Sequence, residues 1–365
     1  MARTWKRWLP AAVVPAVIAG GVLTGSLQAN AAADLPDKTP QQLLEMVAGS
    51  DVRELSGTVQ QDSALGLPEL PQDKPAGEGG QVADALALLT GSHTARVYLD
   101  GPHRARLQLF DRFAERDLIR NGAEAWFYSS KKNEAVHLTL PAGTGDKSDG
   151  GASSQAEAYT PERLADHLLQ GITPESKVSV GDDTAVAGRS AYQLVVEPNS
   201  TETLVGSMLL AIDAETGLPL SVQIQARGRQ EPAFQLGYTK LSLVAPDAGL
   251  FDFTPPPGAT VTEHAVPQHS PDAKMPQHKG NNDGGADARD QVTKHGSGWE
   301  TVTEVPAAAL PEGWVDSPLL AQASEAMDGG RLISTSLVNV YLTDDGRVFT
   351  GSVPLEQLQA AAEGR

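Results

Sequence analysis

The run Met208-Leu209-Leu210-Ala211-Ile212-Asp213, followed after a short turn by Leu218-Pro219-Leu220-Ser221-Val222-Gln223-Ile224-Gln225-Ala226-Arg227, decides the fold. Leu220, Val222, Ile224 and Ala226 alternate with Ser221, Gln223, Gln225 and Arg227, a period of two that puts apolar side chains on one face of a strand and polar ones on the other. Met208, Leu210 and Ile212 form another such run one strand earlier. Between them, Asp213 to Pro219, centred on Thr216-Gly217, holds the residue types that reverse a chain. Two half-buried antiparallel strands joined by a turn follow from these twenty residues.

The same pattern extends both ways. Tyr192, Leu194 and Val196 share one parity, and Phe234, Leu236 and Tyr238 predict a further strand, with Phe251 and Phe253 in the last ones. Towards the N-terminus, Ala95, Val97 and Leu99 alternate with Thr94, Arg96 and Tyr98, and Ala105, Leu107 and Leu109 with Arg104, Arg106 and Gln108. Asn121-Gly122 predicts a hairpin turn joining the run Arg116 to Arg120 with Trp126, Phe127 and Tyr128. Thr39-Pro40-Gln41-Gln42 reads as a helix start, with a capping hydroxyl, proline in the first turn and glutamine three residues after the cap, and Leu43, Leu44, Val47 and Ala48 line one side. A short helix is expected at Val82, Ala85, Leu86 and Leu89, closed by Gly91, and another from Thr160-Pro161-Glu162 through Leu164, Leu168 and Leu169 to Gly171. About ten strands against two or three helices exceed what the helices can cover unless the sheet curls. The expectation is an α+β fold: a strongly curved, antiparallel, half-open β-barrel with helices across its mouth, and an apolar cavity there.

The 365 residues carry 28 Lys and Arg against 46 Asp and Glu, a net charge of −18 that repels polyanions and leaves no basic footprint for nucleic acid. Cysteine is absent, which excludes a disulfide, a thiolate metal site and a cysteine nucleophile. Residues 1–31 combine a cationic head (Arg3, Lys6, Arg7), an apolar stretch from Leu9 to Leu27 and Ala29-Asn30-Ala31, the three parts of a secretory signal. An uncleaved membrane anchor is the rival reading, against which stand Pro10, Pro15, Gly20, Gly21 and Gly25. The chain is therefore expected to be exported across the cytoplasmic membrane. Residues 32–263 form the large domain; 264–298, rich in Gly, Pro, Asn and His and poor in large apolar side chains, a linker; and 299–365 a small α+β module. Residues 143–155 are expected to be a loop. In the small module, a helix from Ser317-Pro318 to Met327, a hairpin at Asp345-Gly346 and a last helix around Leu355, Leu358 and Ala362 are expected.

The inward parity set is Val97, Leu107, Leu109, Phe127, Leu194, Leu210, Ile212, Val222 and Ile224. These side chains either line a cavity for acyl chains or fill a solid core. Enclosing a chain of some fifteen methylenes, at about 0.8 kcal/mol each, would supply on the order of 10 kcal/mol before association costs. Arg104, Arg106 and Arg116, with Arg112 and Arg120 nearby, are candidates for contact with phosphate head groups or an acidic partner; the bland alternative is a solvated face shared with Asp111, Glu115 and Asp117. His264, His269, His278 and His295 lie in or beside the linker at spacings that match no metal-ligand pattern, so no metal or other cofactor is expected. No nucleophile elbow, metalloprotease helix or phosphate loop occurs, and the pairs Asp182-Asp183 and Asp344-Asp345 fall at turns, so no catalytic residue is assigned.

Several local patterns resemble the LolA and RseB family of bacterial lipoprotein carriers and envelope-stress sensors. They are Gly122 with Trp126 and Tyr128; Gly188 with Tyr192 and Pro198; Ala211-Ile212-Asp213 with Leu218-Pro219; and Phe251-Asp252-Phe253-Thr254-Pro255 ending in Gly258-Ala259. Trp299 with Val302, Leu310-Pro311 with Gly313-Trp314, and Asp344-Asp345-Gly346-Arg347 are similar to the smaller C-terminal domain of RseB-type sensors. The resemblance implies a half-open barrel without catalytic residues that accepts lipid or lipoprotein acyl chains. For the sensors it also implies an anti-sigma factor or other membrane-protein ectodomain as partner. A structural envelope domain with a filled barrel is the third alternative. The enlarged loops at 60–80 and 143–155 and the long linker depart from the family pattern.

Overall fold

The computed structural model describes residues 35–67, 90–111, 114–139, 160–170, 175–265, 292–310 and 318–364. The signal segment, the helix expected near Leu86, the loop at 143–155 and most of the linker lie outside them. Helix α1 (Pro40–Ala48) starts as its sequence dictates: the Thr39 hydroxyl accepts from the Gln42 N–H at 3.3 Å, and the Gln42 side chain accepts from the Thr39 N–H at 2.8 Å. There follow β1 (Glu54–Ser63), β2 (Gly91–Asp100), β3 (Arg104–Asp111), β4 (Ala114–Asn121), β5 (Glu124–Ser129) and β6 (Glu134–Thr139). After α2 (Pro161–Gln170) come β7 (Ser176–Val180), β8 (Thr184–Val186), β9 (Arg189–Pro198), β10 (Val205–Asp213), β11 (Pro219–Ala226), β12 (Pro232–Ser242) and β13 (Thr260–Ala265).

These thirteen strands make one open sheet in the order β13-β6-β5-β4-β3-β2-β1-β12-β11-β10-β9-β7, with β8 paired to β9. Pairing is antiparallel throughout except between β13 and β6, which run parallel. The β10–β11 reversal lies where the sequence places it, with Gly217 at φ 72°. At the β4–β5 hairpin, Asn121 pairs with Glu124, so the loop is Gly122-Ala123, one residue later than expected, and Gly122 takes the positive φ (63°) at its first position. Phe251 is not in a strand. Asp247 accepts from the Gly249 N–H and caps a 3-10 turn over Ala248–Phe251, a local bond that outcompetes extension. The last strand of the sheet comes later, at Thr260–Ala265, and includes His264.

Cross-strand register sorts the side chains. One face carries Leu194, Leu210, Val222 and Leu236 in a row over four adjacent strands, and a second row Leu107, Leu118, Phe127 and Val136 over β3 to β6. Helices α1 and α2 pack on this face: Leu43 and Ala165 are buried with Leu194, Leu210, Ile212 and Val222. Thr160 precedes α2 and Glu162 lies in its first turn.

A second sheet, in the order β14-β15-β19-β18-β17-β16, comprises β14 (Thr293–His295), β15 (Val302–Val305), β16 (Glu325–Met327), β17 (Gly330–Ser334), β18 (Asn339–Thr343) and β19 (Val348–Gly351). Helix α3 (Pro318–Ala323) precedes β16, and α4 (Leu355–Ala362) buries Leu358 and Ala361 against Phe349 and Tyr341. The helix expected to reach Met327 is thus shorter. Arg331 donates to the Ala321 carbonyl at 2.9 Å and to the Ser324 hydroxyl at 2.8 Å, closing the helix there, and Met327 pairs with Gly330. The two sheets share a seam in which Val205, Ala226 and Ala233 bury Leu337 with Trp299 alongside, and the Thr203 hydroxyl and Leu204 N–H both donate to the Ser352 carbonyl. Arg227 ties the strand end beside this seam, donating to the carbonyls of Ser200 (2.7 Å), Thr203 (2.8 Å) and Val205 (3.2 Å). Because its side chain is exposed, Arg227→Met is expected to cost only about 1–2 kcal/mol in urea denaturation. Faster amide exchange is expected at residues 203–205, and unchanged exchange there would refute this role.

Candidate functional site

The helix-bearing face is the candidate site, and all nine residues of the inward set lie on it. Leu194, Leu210, Ile212 and Val222 are closed beneath α1 and α2, where Leu164, Leu168 and Leu169 add to the cover. Val97, Leu107 and Leu109 bury with Leu55, Val59, Leu236 and Tyr238. Ile224 is half-buried and packs towards both the α1–α2 cluster and the seam. Phe127 differs: it is 39% exposed. Its row neighbours Leu118 and Val136 are half-buried, so the apolar face passes from closed, under the helices, to partly open over β4 to β6. Leu118 and Val136 were not singled out from sequence, because Leu118-Ile119 presents an apolar residue to each face and so blurs the alternation.

The three arginines separate. Arg116 pairs with Leu109 and Ser129 across the ladder and so sits on the apolar face beside the open row. Arg104 and Arg106 are on the opposite face. There Arg106 holds Asp117 at 2.7 Å and donates to the Leu250 carbonyl at 3.0 Å, while Arg104 pairs with Asp100 at 2.7 Å and lies over the Phe251 ring. Burial raises the Asp117 carboxyl above its ordinary range, with the Arg106 guanidinium opposing that rise.

Under α2 sits a group that the sequence marks only as a helix-start residue. Both Glu162 carboxyl oxygens are buried without a hydrogen-bond partner among the described residues, as is the Tyr238 hydroxyl. Burial pushes the Glu162 carboxyl up to about 7, and the Tyr238 phenol, buried close to it, lies well above its usual range. Among the described residues no three His, Asp or Glu side chains come together as a metal site, and no helix is long and apolar enough to cross a membrane. His295 is bonded to Glu304 at 2.8 Å.

No family model and no curated protein matches the sequence. Among solved structures, the chain is similar to one in the complex structure of Pseudomonas aeruginosa MucA/MucB, at 17% identity and a TM-score of 0.42, covering 88% of this chain and 96% of that one. It is similar to the crystal structure of MucB in complex with MucA(peri), at 15% identity and a TM-score of 0.42, with 88% and 97% covered. A LolA superfamily protein from Nitrosomonas europaea matches at 11% identity and a TM-score of 0.24, over 60% of this chain and 99% of that one. These are likenesses of chain path at low identity.

Proposed function

We propose that this protein is an exported, non-catalytic carrier that holds a lipid or lipoprotein acyl chain on the helix-bearing face of its sheet, which curls into a half-open barrel. The observation that supports this reading is the graded exposure of that face: the leucine, valine and isoleucine rows closed under α1 and α2 share it with the separate row Leu107, Leu118, Phe127 and Val136, in which Leu118 and Val136 are half-buried and Phe127 is exposed. An acyl chain needs apolar walls and little else, and it would gain by covering that row. Arg116 at the edge suits an anionic head group.

The test is uptake of a fluorescent fatty acid by the chain from residue 32, together with native mass spectrometry of the protein purified from its own envelope. Binding is expected, and Phe127→Glu should weaken it by at least about tenfold, the cost of setting a charge against the chain, while leaving the unfolding midpoint nearly unchanged. Leu210 is unsuitable for this purpose: at 1% exposure beneath α1, an arginine there would disrupt the core and abolish binding indirectly. Absence of uptake and a clean apo mass would defeat the carrier reading and favour a filled-barrel interaction domain.

A second reading, a sensor whose grip on a membrane-protein ectodomain changes when lipid binds, draws on the seam between the sheets. A sensor should alter amide exchange at Leu204 and around Ser352 when fatty acid is added, whereas a carrier should not.

A further inference from the structure

The face of the sheet opposite the helices bears a cleft of about 340 Å³ between the β8 turn and strands β9 to β12 and β1. Its floor is built in register: Gln193 pairs with Ala211, Ala211 with Ser221, Ser221 with Gly237 and Gly237 with Gln60. Three small residues in the middle of the row sink the floor, and a Cβ on Gly237 would stand 2.8 Å from that of Ser221. In the adjacent row, Leu209, Gln223, Gln235 and Asp62 follow one another across β10, β11, β12 and β1.

The chemistry of the walls is uniform. The side-chain amides of Gln193, Gln223 and Gln235 bond to no described residue, and Ser221, only 6% exposed, points its hydroxyl into the cleft with no partner among the described residues. Among the described residues, Asp62 is the one charged side chain in the lining, fixed by the Ser92 hydroxyl at 2.6 Å and the Gln60 amide at 3.2 Å. Primary amides both donate and accept, and a fixed carboxylate accepts from neighbouring hydroxyls. That set suits a neutral ligand dense in hydroxyl groups, with Leu209 and Val186 available to its C–H faces. It does not suit an anion, given a chain of net charge −18. Nor does it suit an extended peptide, because β1 and β9 to β12 are already paired on both sides and offer no free strand edge.

We propose that this cleft is a binding site for a neutral saccharide, with Gln193, Gln223, Gln235 and Asp62 reading its hydroxyls and Ser221 at the floor. The volume is at the lower end of small-ligand sites, which start at about 300 Å³, and so fits one or two sugar rings. The site is on the other face from the acyl site and stands or falls separately from it.

The purified chain would be titrated by calorimetry and saturation-transfer NMR with maltotriose, cellotriose, chitotriose and mannotriose, using a sulfated disaccharide and an extended octapeptide as controls. At least one neutral trisaccharide should bind and both controls should not. The pair Gln223→Leu and Gln235→Leu, half-buried and remote from α1 and α2, should weaken binding by roughly tenfold or more, with fatty-acid uptake unchanged. Ser221→Ala, which removes one oxygen and leaves the strand intact, should weaken it several-fold. Failure of all four sugars to bind at millimolar concentration, preferential binding of either control, or binding that survives both sets of substitutions would each overturn the proposal.

Discussion

Replacing Gly217 by alanine is expected to destabilise the fold by about 3 kcal/mol or more and to loosen α1 from the sheet. Two effects add. Gly217 sits at φ 72°, where a residue with a Cβ costs roughly 1–2 kcal/mol. The new methyl would also stand 2.2 Å from the Met46 carbonyl oxygen and 2.8 Å from its carbon, both backbone atoms of α1. The turn is poorly able to yield. Arg189 grips the Asp213 carboxylate with two bonds of 2.8 Å, and the Thr216 N–H and hydroxyl donate to the same group at 3.0 and 2.5 Å. Although burial works against it, these donors hold the Asp213 carboxyl below its ordinary range. The helix must therefore move, and Leu43, which closes over Leu194 and Leu210, moves with it. Urea denaturation with amide exchange over 40–48 checks this. The expected result is a lower midpoint and faster exchange in α1, and a variant matching the parent in both would refute the close approach.

The parts of this fold that were legible in the sequence are those set by short-range chemistry. The capping residues of α1, the Thr216-Gly217 reversal and the alternation from Leu220 to Ala226 each follow from a few neighbours, and each is found at its place. What was not legible depends on distant partners. β13 adds to β6 in parallel across more than a hundred residues of chain, and nothing in Thr260–Ala265 announces that edge. Met327 continues an apolar helical spacing from Leu320, yet the Arg331 bonds to Ala321 and Ser324 end the helix first. Likewise the parity that put Phe127 with Leu210 says which face each takes but not how far the helices cover that face. Nor could spacing separate Arg116 from Arg104 and Arg106, which read as one cationic run; only the β3–β4 register puts Arg116 on the other face.

Glu162→Gln is expected to make the protein more stable at alkaline pH and to leave it unchanged in acid. The wild-type carboxyl titrates near 7 in the folded chain against an ordinary 4.5, because burial under α2 disfavours its charged form. The charge of Asp166, one turn along α2, adds to that rise. A folded value raised above the unfolded one means that the folded state binds the proton more tightly. The stability linked to that proton is complete below about 4.5 and is lost as the pH rises through about 7. A difference of this size is worth on the order of 3 kcal/mol, and glutamine, neutral at every pH, should retain it. Urea denaturation of both proteins between acid and alkaline pH should give coincident stabilities at the acid end and a gap that opens through neutrality, and a constant gap would refute the assignment. Since the ionised carboxyl is most readily solvated by lifting the start of α2, the same titration should speed amide exchange in that helix, and this pH dependence should vanish in the glutamine variant.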